Sequence, residues 1–411
     1  MPPYTGSTTG YAAGEQTNAG VITYIMESSY KVPQEGAAQD LRFTSETLAK
    51  VQTTSSPDEI NELAETSQTV VTGESASGSI SGAVSYRTYD DMLGAVMTED
   101  WLAAKVALTI NSKATPAVTG SYALKSVAHS GNDVLLTAAD LSAWPATGII
   151  HLTDAVNGLD LYAKYIGING GLMLPAGTLN ASDGTPLVAD GTAISDGTAI
   201  VLADIMNGTV YKTWSIQKKL GSQYQIYPGS MVSQAQISLQ QGQVPTLQLD
   251  IQCANMILST SPLTQAVNPR TTSLIMDTVG GFAGATIFGK APSGCIRTAT
   301  ITLSRDGNAQ DIGMGHADAC GIRFGSFKAA GSLEYFFKDY TEFQKVQSGV
   351  TGPVTLALKG EDGRGYVFVF INATLRNFKT LITGKNATVV AQCDIEANPA
   401  PGGLTFAIFR I

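Results

Sequence analysis

Gly78-Ser-Ile-Ser-Gly-Ala-Val-Ser-Tyr-Arg-Thr-Tyr-Asp-Asp-Met-Leu-Gly-Ala-Val-Met-Thr-Glu-Asp-Trp101 divides into two periods. In its first part Ile80, Gly82, Val84 and Tyr86 alternate with Ser79, Ser81, Ser85 and Arg87, the two-residue repeat of a half-buried strand. From Asp90 the period lengthens. Met92, Leu93, Val96 and Met97 make an apolar stripe on a short helix, and Asp90 and Asp91 stand in its first turn, where the helix dipole favours carboxylates. A strand thus feeds directly into a helix whose apolar face can fold back onto a sheet.

The rest of the chain is built from the same kind of residue. Only 14% of its 411 residues are charged, 43 are glycine, and Thr, Ser, Gln and Val recur throughout, which reads as mainly β with many turns. The length suggests two or three domains of about 100–200 residues. A net charge of -9 with no basic run argues against phosphate-gripping nucleic-acid binding, which needs clustered Lys and Arg. No stretch approaches the roughly 18 apolar residues of a membrane span, and Met-Pro-Pro-Tyr-Thr-Gly-Ser lacks the basic and apolar regions of a secretion signal, so a cytoplasmic product is expected. Cys253, Cys295, Cys320 and Cys393 show no metal-site spacing and read as free thiols, mostly in the core or in strands.

Residues 1–20 are small, polar and rich in glycine, and read as an arm ordered against a partner. Strands are expected at Val21 to Glu27 and at Leu41 to Leu48, with Leu41, Phe43 and Ser45 facing one way. From Glu46 to Ser77 the chain turns polar, and it reads as a long acidic, Thr-rich loop made to lie on another subunit. Gln234, Gln236, Ser238 and Gln240 alternate with Ala235, Ile237 and Leu239, giving one face that is polar but uncharged; Thr246 to Gln252 repeats the alternation.

The second half revisits this order. Ala299 to Leu303 matches the strand at Leu41, Gly331 to Val346 matches the opening stretch, and Gln392-Cys-Asp-Ile-Glu396 matches Gln248-Leu-Asp-Ile-Gln252. Three matches in one order favour duplication over coincidence. The spacing between counterparts falls from 251 residues (Tyr89 to Tyr340) to 144 (Asp250 to Asp394), so the first copy carries roughly 107 additional residues. They fall at 105–211, where Asp183-Gly184, Asp190-Gly191, Asp196-Gly197 and Asn207-Gly208 punctuate short apolar runs. The expected division is a first unit from 1–104 and 212–260, an inserted β module at 105–211, and a second unit at 261–411.

Little here points to catalysis. Asp90-Asp91, Asp58-Glu59 and Asp339 with Glu342 are candidate paired carboxylates, but acids at a helix start read as surface residues that satisfy the dipole. His129, His151 and His316 are too scattered for a triad or a zinc site. Asp306 to Asp311 lacks a calcium-loop pattern and reads as a hairpin turn, and Val279 to Gly284 gives no phosphate cradle. No catalytic, cofactor-binding or metal residue is assigned.

Leu41 to Leu48, Ser55-Ser-Pro-Asp-Glu-Ile60 and Ser81 to Leu93 resemble the major tail tube proteins of long-tailed bacteriophages with non-contractile tails. Thr213-Trp-Ser-Ile-Gln217, Tyr224 to Ser233, Gly331 to Val346 and Gly365-Tyr-Val-Phe-Val-Phe370 continue the likeness. The resemblance implies two tandem β-sandwich or barrel domains, each with one short flanking α-helix, plus the inserted β module on the exterior. It implies a structural virion protein of the phage tail, assembled in the host cytoplasm as stacked rings around a channel that conducts DNA. A duplicated chain implies a trimeric ring with pseudo-sixfold symmetry, with a hexamer as the alternative. The implied partners are further copies, tail tip or baseplate and tail terminator proteins, and the tape measure protein and then DNA in the lumen, without sequence-specific binding and with no membrane.

On that reading Glu46, Lys50, Asp58, Glu59, Glu62 and Glu65 are candidates for contacts between rings. Gln234, Gln236, Gln240, Thr298, Thr300 and Thr302 are lumen candidates, because uncharged polar side chains let DNA pass unbound. A surface adhesin binding through the insertion, and a carbohydrate-active β-sandwich enzyme, remain as readings from other classes.

Overall fold

The computed structural model describes residues 16–60, 67–124, 132–135, 141–181, 184–382, 384–400 and 403–411. The chain is mainly β, with two α-helices among the described residues. The first half contributes β1 (Val21–Ser29), β2 (Ala49–Ser55), β3 (Val70–Ala83), α1 (Asp90–Met97), β4 (Trp214–Leu220), β5 (Gln223–Gln240) and β6 (Thr246–Cys253). The second contributes β7 (Phe282–Ile287), β8 (Ile296–Asp306), β9 (Ser326–Phe336), α2 (Thr341–Ser348), β10 (Thr351–Lys359), β11 (Gly365–Leu381), β12 (Val390–Ala397) and β13 (Phe406–Arg410).

The two halves pair their strands in the same order. In the first, β1, β4, β5, β6, β3 and β2 are successive antiparallel neighbours. In the second, β7, β10, β11, β12, β9 and β8 repeat the sequence. The long strands β5 and β11 each serve two layers, pairing with β4 or β10 through their first part and with β6 or β12 through their second. Between the layers both slip register, at Val232/Gln234 and at Arg376/Lys379, where a bulge bends the strand.

Glycine occupies the same place in each half. Gly78 lies opposite Ile251 and Gly331 opposite Ile395. A Cβ on Gly78 would stand 2.6 Å from the Leu48 backbone, and one on Gly331 would stand 2.5 Å from the Thr300 carbonyl oxygen, so only glycine admits the outer strand. The pairing also moves one sequence match. The counterpart of Ala299 to Leu303 is Glu46 to Lys50 rather than the strand around Leu41, because Ala299 faces Leu333 as Glu46 faces Ile80, and Leu303 faces Ala329 as Lys50 faces Ala76.

The halves are joined by β5 and β8, paired from Gln234 opposite Ser304 to Gln240 opposite Thr298. Helix α1 packs on both of these strands and buries Met92, Leu93, Ala95, Val96 and Met97. Its ends are held by the second half. Arg305 of β8, itself buried, donates to the Val96 carbonyl (2.9 Å) and to the Thr98 hydroxyl, which satisfies the helix C-terminus with a cation. At the N-terminus, Asp90 accepts from Tyr366 of β11 (2.5 Å) and pairs with Arg410 of β13, whose guanidinium lies 4.0 Å over the Trp101 ring.

Asp90 is therefore not the surface residue its position suggested. It is buried, and burial raises its carboxyl above the ordinary value while Tyr366 and Arg410 pull it back down. Glu342 in α2 is buried too, accepting from the Ser293 amide and hydroxyl at 2.9 Å each, whereas Asp339 is exposed and caps Thr341. Among the cysteines, Cys253 and Cys393 are buried in strands, but Cys295 and Cys320 are exposed.

The described residues between 107 and 202 form two four-stranded sheets around their own core, which includes Ile110, Tyr122, Trp144, Ile150, Leu152, Leu174 and Leu202. Ile149 and Ala203 pack against Val367, Val369 and Phe409, seating these sheets on the outer face of β11 and β13. Gly184, Gly191 and Gly197 adopt positive φ, as turn glycines do, but Gly208 does not: it is held close to Glu99, and its neighbour Asn207 accepts from the Thr405 and Phe406 amides. In this region burial would raise the Asp154 carboxyl, but hydrogen bonds from Asn157 and Tyr122 outweigh it and bring the carboxyl to about 2.

Two outcomes follow from these groups. Asp90→Ala leaves the largely covered Arg410 guanidinium without its partner and should cost about 3–5 kcal/mol, read as a lower urea midpoint. Asp154 titrates lower in the folded chain than unfolded, so its contribution is complete above 3.8 and lost as pH falls to about 2. The thermal unfolding temperature should fall as pH drops across that window, and Asp154→Asn should flatten the dependence.

Candidate functional site

The two sets of uncharged polar residues singled out in the sequence meet on one sheet face. Gln234 lies opposite Ser304, Gln236 opposite Thr302, and Gln240 opposite Thr298, while Thr300 lies opposite Ser238 and shares a 2.7 Å hydrogen bond with Ser332. The alternate residues Ala235, Ile237, Leu239, Ala299, Ile301 and Leu303 are buried on the other face. The strand period of two produces this separation, since each register pair puts both side chains on the same side.

The face continues across the molecule. One row of neighbours runs Ser45, Ser81, Gln248, Gln236, Thr302, Ala330, Glu396, Thr374, crossing from the short Ser45–Glu46 strand that precedes β2 to β11. Ser81, Gln248, Ser332 and Asp394 belong to it and were missed in the sequence reading, although their alternation with Ile80, Leu249, Leu333 and Cys393 carried the signal. The face is not uncharged throughout. Lys328, Glu334, Asp394, Glu396, Arg376 and Lys379 stand on it in the second half, with Arg376 and Glu396 paired at 2.5 Å.

Within the polar stretch from Glu46 to Ser77, the described residues form a β ribbon rather than a loop. β2 and β3 pair from Ala49 opposite Ser77 to Ser55 opposite Val70. Nearly every residue of the β2 half is exposed, so neither face carries the apolar alternation that would have marked a strand. Glu46 pairs with Lys218 (2.5 Å) and Lys50 with Glu74 (2.7 Å), so both are engaged within the chain. Asp58 and Glu59 are exposed, while Glu62, Glu65 and the arm at 1–15 lie outside the described residues. Between β8 and β9 a second hairpin, Ala309–Asp311 with Gly321–Arg323, occupies the corresponding place; Asp306 to Asp311, read as a hairpin turn, instead ends β8, turns at Gly307 and supplies the first strand of that hairpin. The hairpin touches the middle of the ribbon, where the Glu74 amide donates to the Ala317 carbonyl at 2.7 Å.

A family model described as phage tail tube protein matches residues 17–403. The chain belongs to the phage tail tube protein family. No curated protein matches the sequence. Membership in the tail tube family places the chain in the virion tail as a structural component. Of the acid pairs considered for catalysis, Asp90 and Glu342 make packing contacts; outside those pairs, Asp277, beside the glycine run, accepts from the amides of Val279, Gly280 and Gly281.

In this tail tube protein the ribbon leaves Val51 53%, Val70 53% and Val71 50% exposed, so these valines add little to the monomer. Replacing all three with Ser should shift the monomer's stability by less than about 0.5 kcal/mol per site in urea unfolding. A larger loss would mean that the ribbon packs within its own chain.

Proposed function

We propose that copies of this chain close into rings that stack into a hollow tail tube, with the polar sheet face lining the channel through which DNA passes from capsid to host. The observation that carries this reading is the unbroken run of antiparallel strands across both halves, polar on one side and buried on the other. A wall of that kind needs heterologous contacts that recur around an axis. Ser, Thr and Gln present hydrogen-bonding groups without the clustered cations that would hold phosphates.

The matching strand order supports a duplicated chain, with a first unit at 1–104 and 212–260 and a second at 261–411. Two such units per chain favour a trimeric ring with pseudo-sixfold symmetry over a hexamer. The module at 105–211 sits on the layer away from the polar face, so it decorates the tube exterior. The ribbon reaches toward the next ring, where Val70 and Val71 gain cover, since a two-stranded ribbon is marginal in water, and the N-terminal arm is a further candidate for that contact. Glu62 and Glu65, between its two strands in the sequence, remain contact candidates with Asp58 and Glu59. At its ends the tube meets tail tip or baseplate and terminator proteins, and its lumen holds the tape measure protein before DNA.

Negative-stain imaging of the purified full chain tests the assembly. Rings or tubes with an open channel are expected, and a protein that stays monomeric at high concentration would refute the proposal. Replacing residues 56–69 by an Asn-Gly turn should preserve the melting profile yet shorten or abolish the tubes.

A further inference from the structure

We infer that neighbouring copies join edge to edge through β11 of one and β2 of the next, in the register that β5 and β8 already use within the chain. The inference rests on the ring reading above and adds the identity and alignment of the joint. Two edges are open. β10 stops at Thr351 opposite Thr374, leaving one side of β11 beyond residue 375 without a strand, as β4 stops at Trp214 opposite Ser230 just before β8 takes over. The outer side of β2 has no partner strand among the described residues. Open edges of this length invite another strand.

The two helices show what is absent at the second edge. α1 straddles the β5–β8 joint and buries seven of its eight residues. α2, its counterpart, packs on β11 and buries only Glu342, which leaves a face for a strand that the monomer does not supply. At the same edge Leu381 is 44% exposed and Ile382 85%, and across the molecule Val51 of β2 is 53% exposed.

The register follows from shared partners. Gln236 lies opposite Gln248 as Lys379 lies opposite Gln392, so Lys379 is the counterpart of Gln236. Ala49 lies opposite Ser77 as Thr302 lies opposite Ala330, so Ala49 is the counterpart of Thr302. Gln236 faces Thr302 within the chain; Lys379 therefore faces Ala49 of the next copy, and Arg376 faces Val51. β5 bulges between Val232 and Gln234, before its pairing with β8 begins, whereas β11 bulges between Arg376 and Lys379, with Asn377 at φ 53°, so the joint takes up one extra residue of β11 between these two pairs.

The test is disulfide trapping in the full chain with Cys295→Ser and Cys320→Ser removing the exposed thiols. Ala49→Cys with Lys379→Cys should convert most of the assembled protein, on oxidation, into a non-reducing ladder that ends at the copy number of the ring. Thr53→Cys with Lys379→Cys, offset by four residues or about 13 Å along the strand, should not link. All three positions are exposed, so the variants keep the fold. Tubes in the microscope with no ladder, or with equal linking of the offset pair, would overturn the register and leave the ring reading standing. No rings and no linking would overturn both.

Discussion

The pairing of β5 with β8 is the contact on which the rest of the molecule depends. It merges two six-strand units into one sheet, puts their polar rows on a common side and supplies the platform for α1. Antiparallel register is unforgiving, because a slip of one residue would exchange the Gln and Thr side chains with Ala235, Ile237, Ile301 and Leu303. The buried row holds the register and the polar row follows.

Around that joint the second half grips the first through ions as well as a shared apolar core. Arg305 caps one end of α1, and Asp90 at the other end gathers Tyr366 and Arg410. A buried ion pair is worth little net stability over an apolar replacement, but it penalises every arrangement that leaves a charge unpaired. Here it ties the last strand of the chain to the first helix.

Much of this was legible in the sequence. The strand-to-helix switch at Gly78–Trp101 lies where the period changed, and the alternation at Gln234 to Gln240 and Thr298 to Thr302 marked two strands that pair with each other. The ribbon was not legible, because exposed strands such as Ala49–Ser55 carry no apolar period. Nor was the burial of Asp90 and Glu342: a carboxylate in the first turn of a helix looks the same whether the dipole alone or a distant Arg or Ser holds it.

The sequence by itself determined the strand periods, the place of both helices and the repeated order of the elements, since these depend on neighbours within a few residues. Only the tertiary structure decided that the polar rows of the two halves align, that Ala299 to Leu303 answers to Glu46 to Lys50, and that α1 is covered while α2 is left open. Those facts depend on which strand edges meet. Backbone hydrogen bonds between edges are the same for every residue but proline, so partner choice leaves little trace in composition and is set by the packing of the whole.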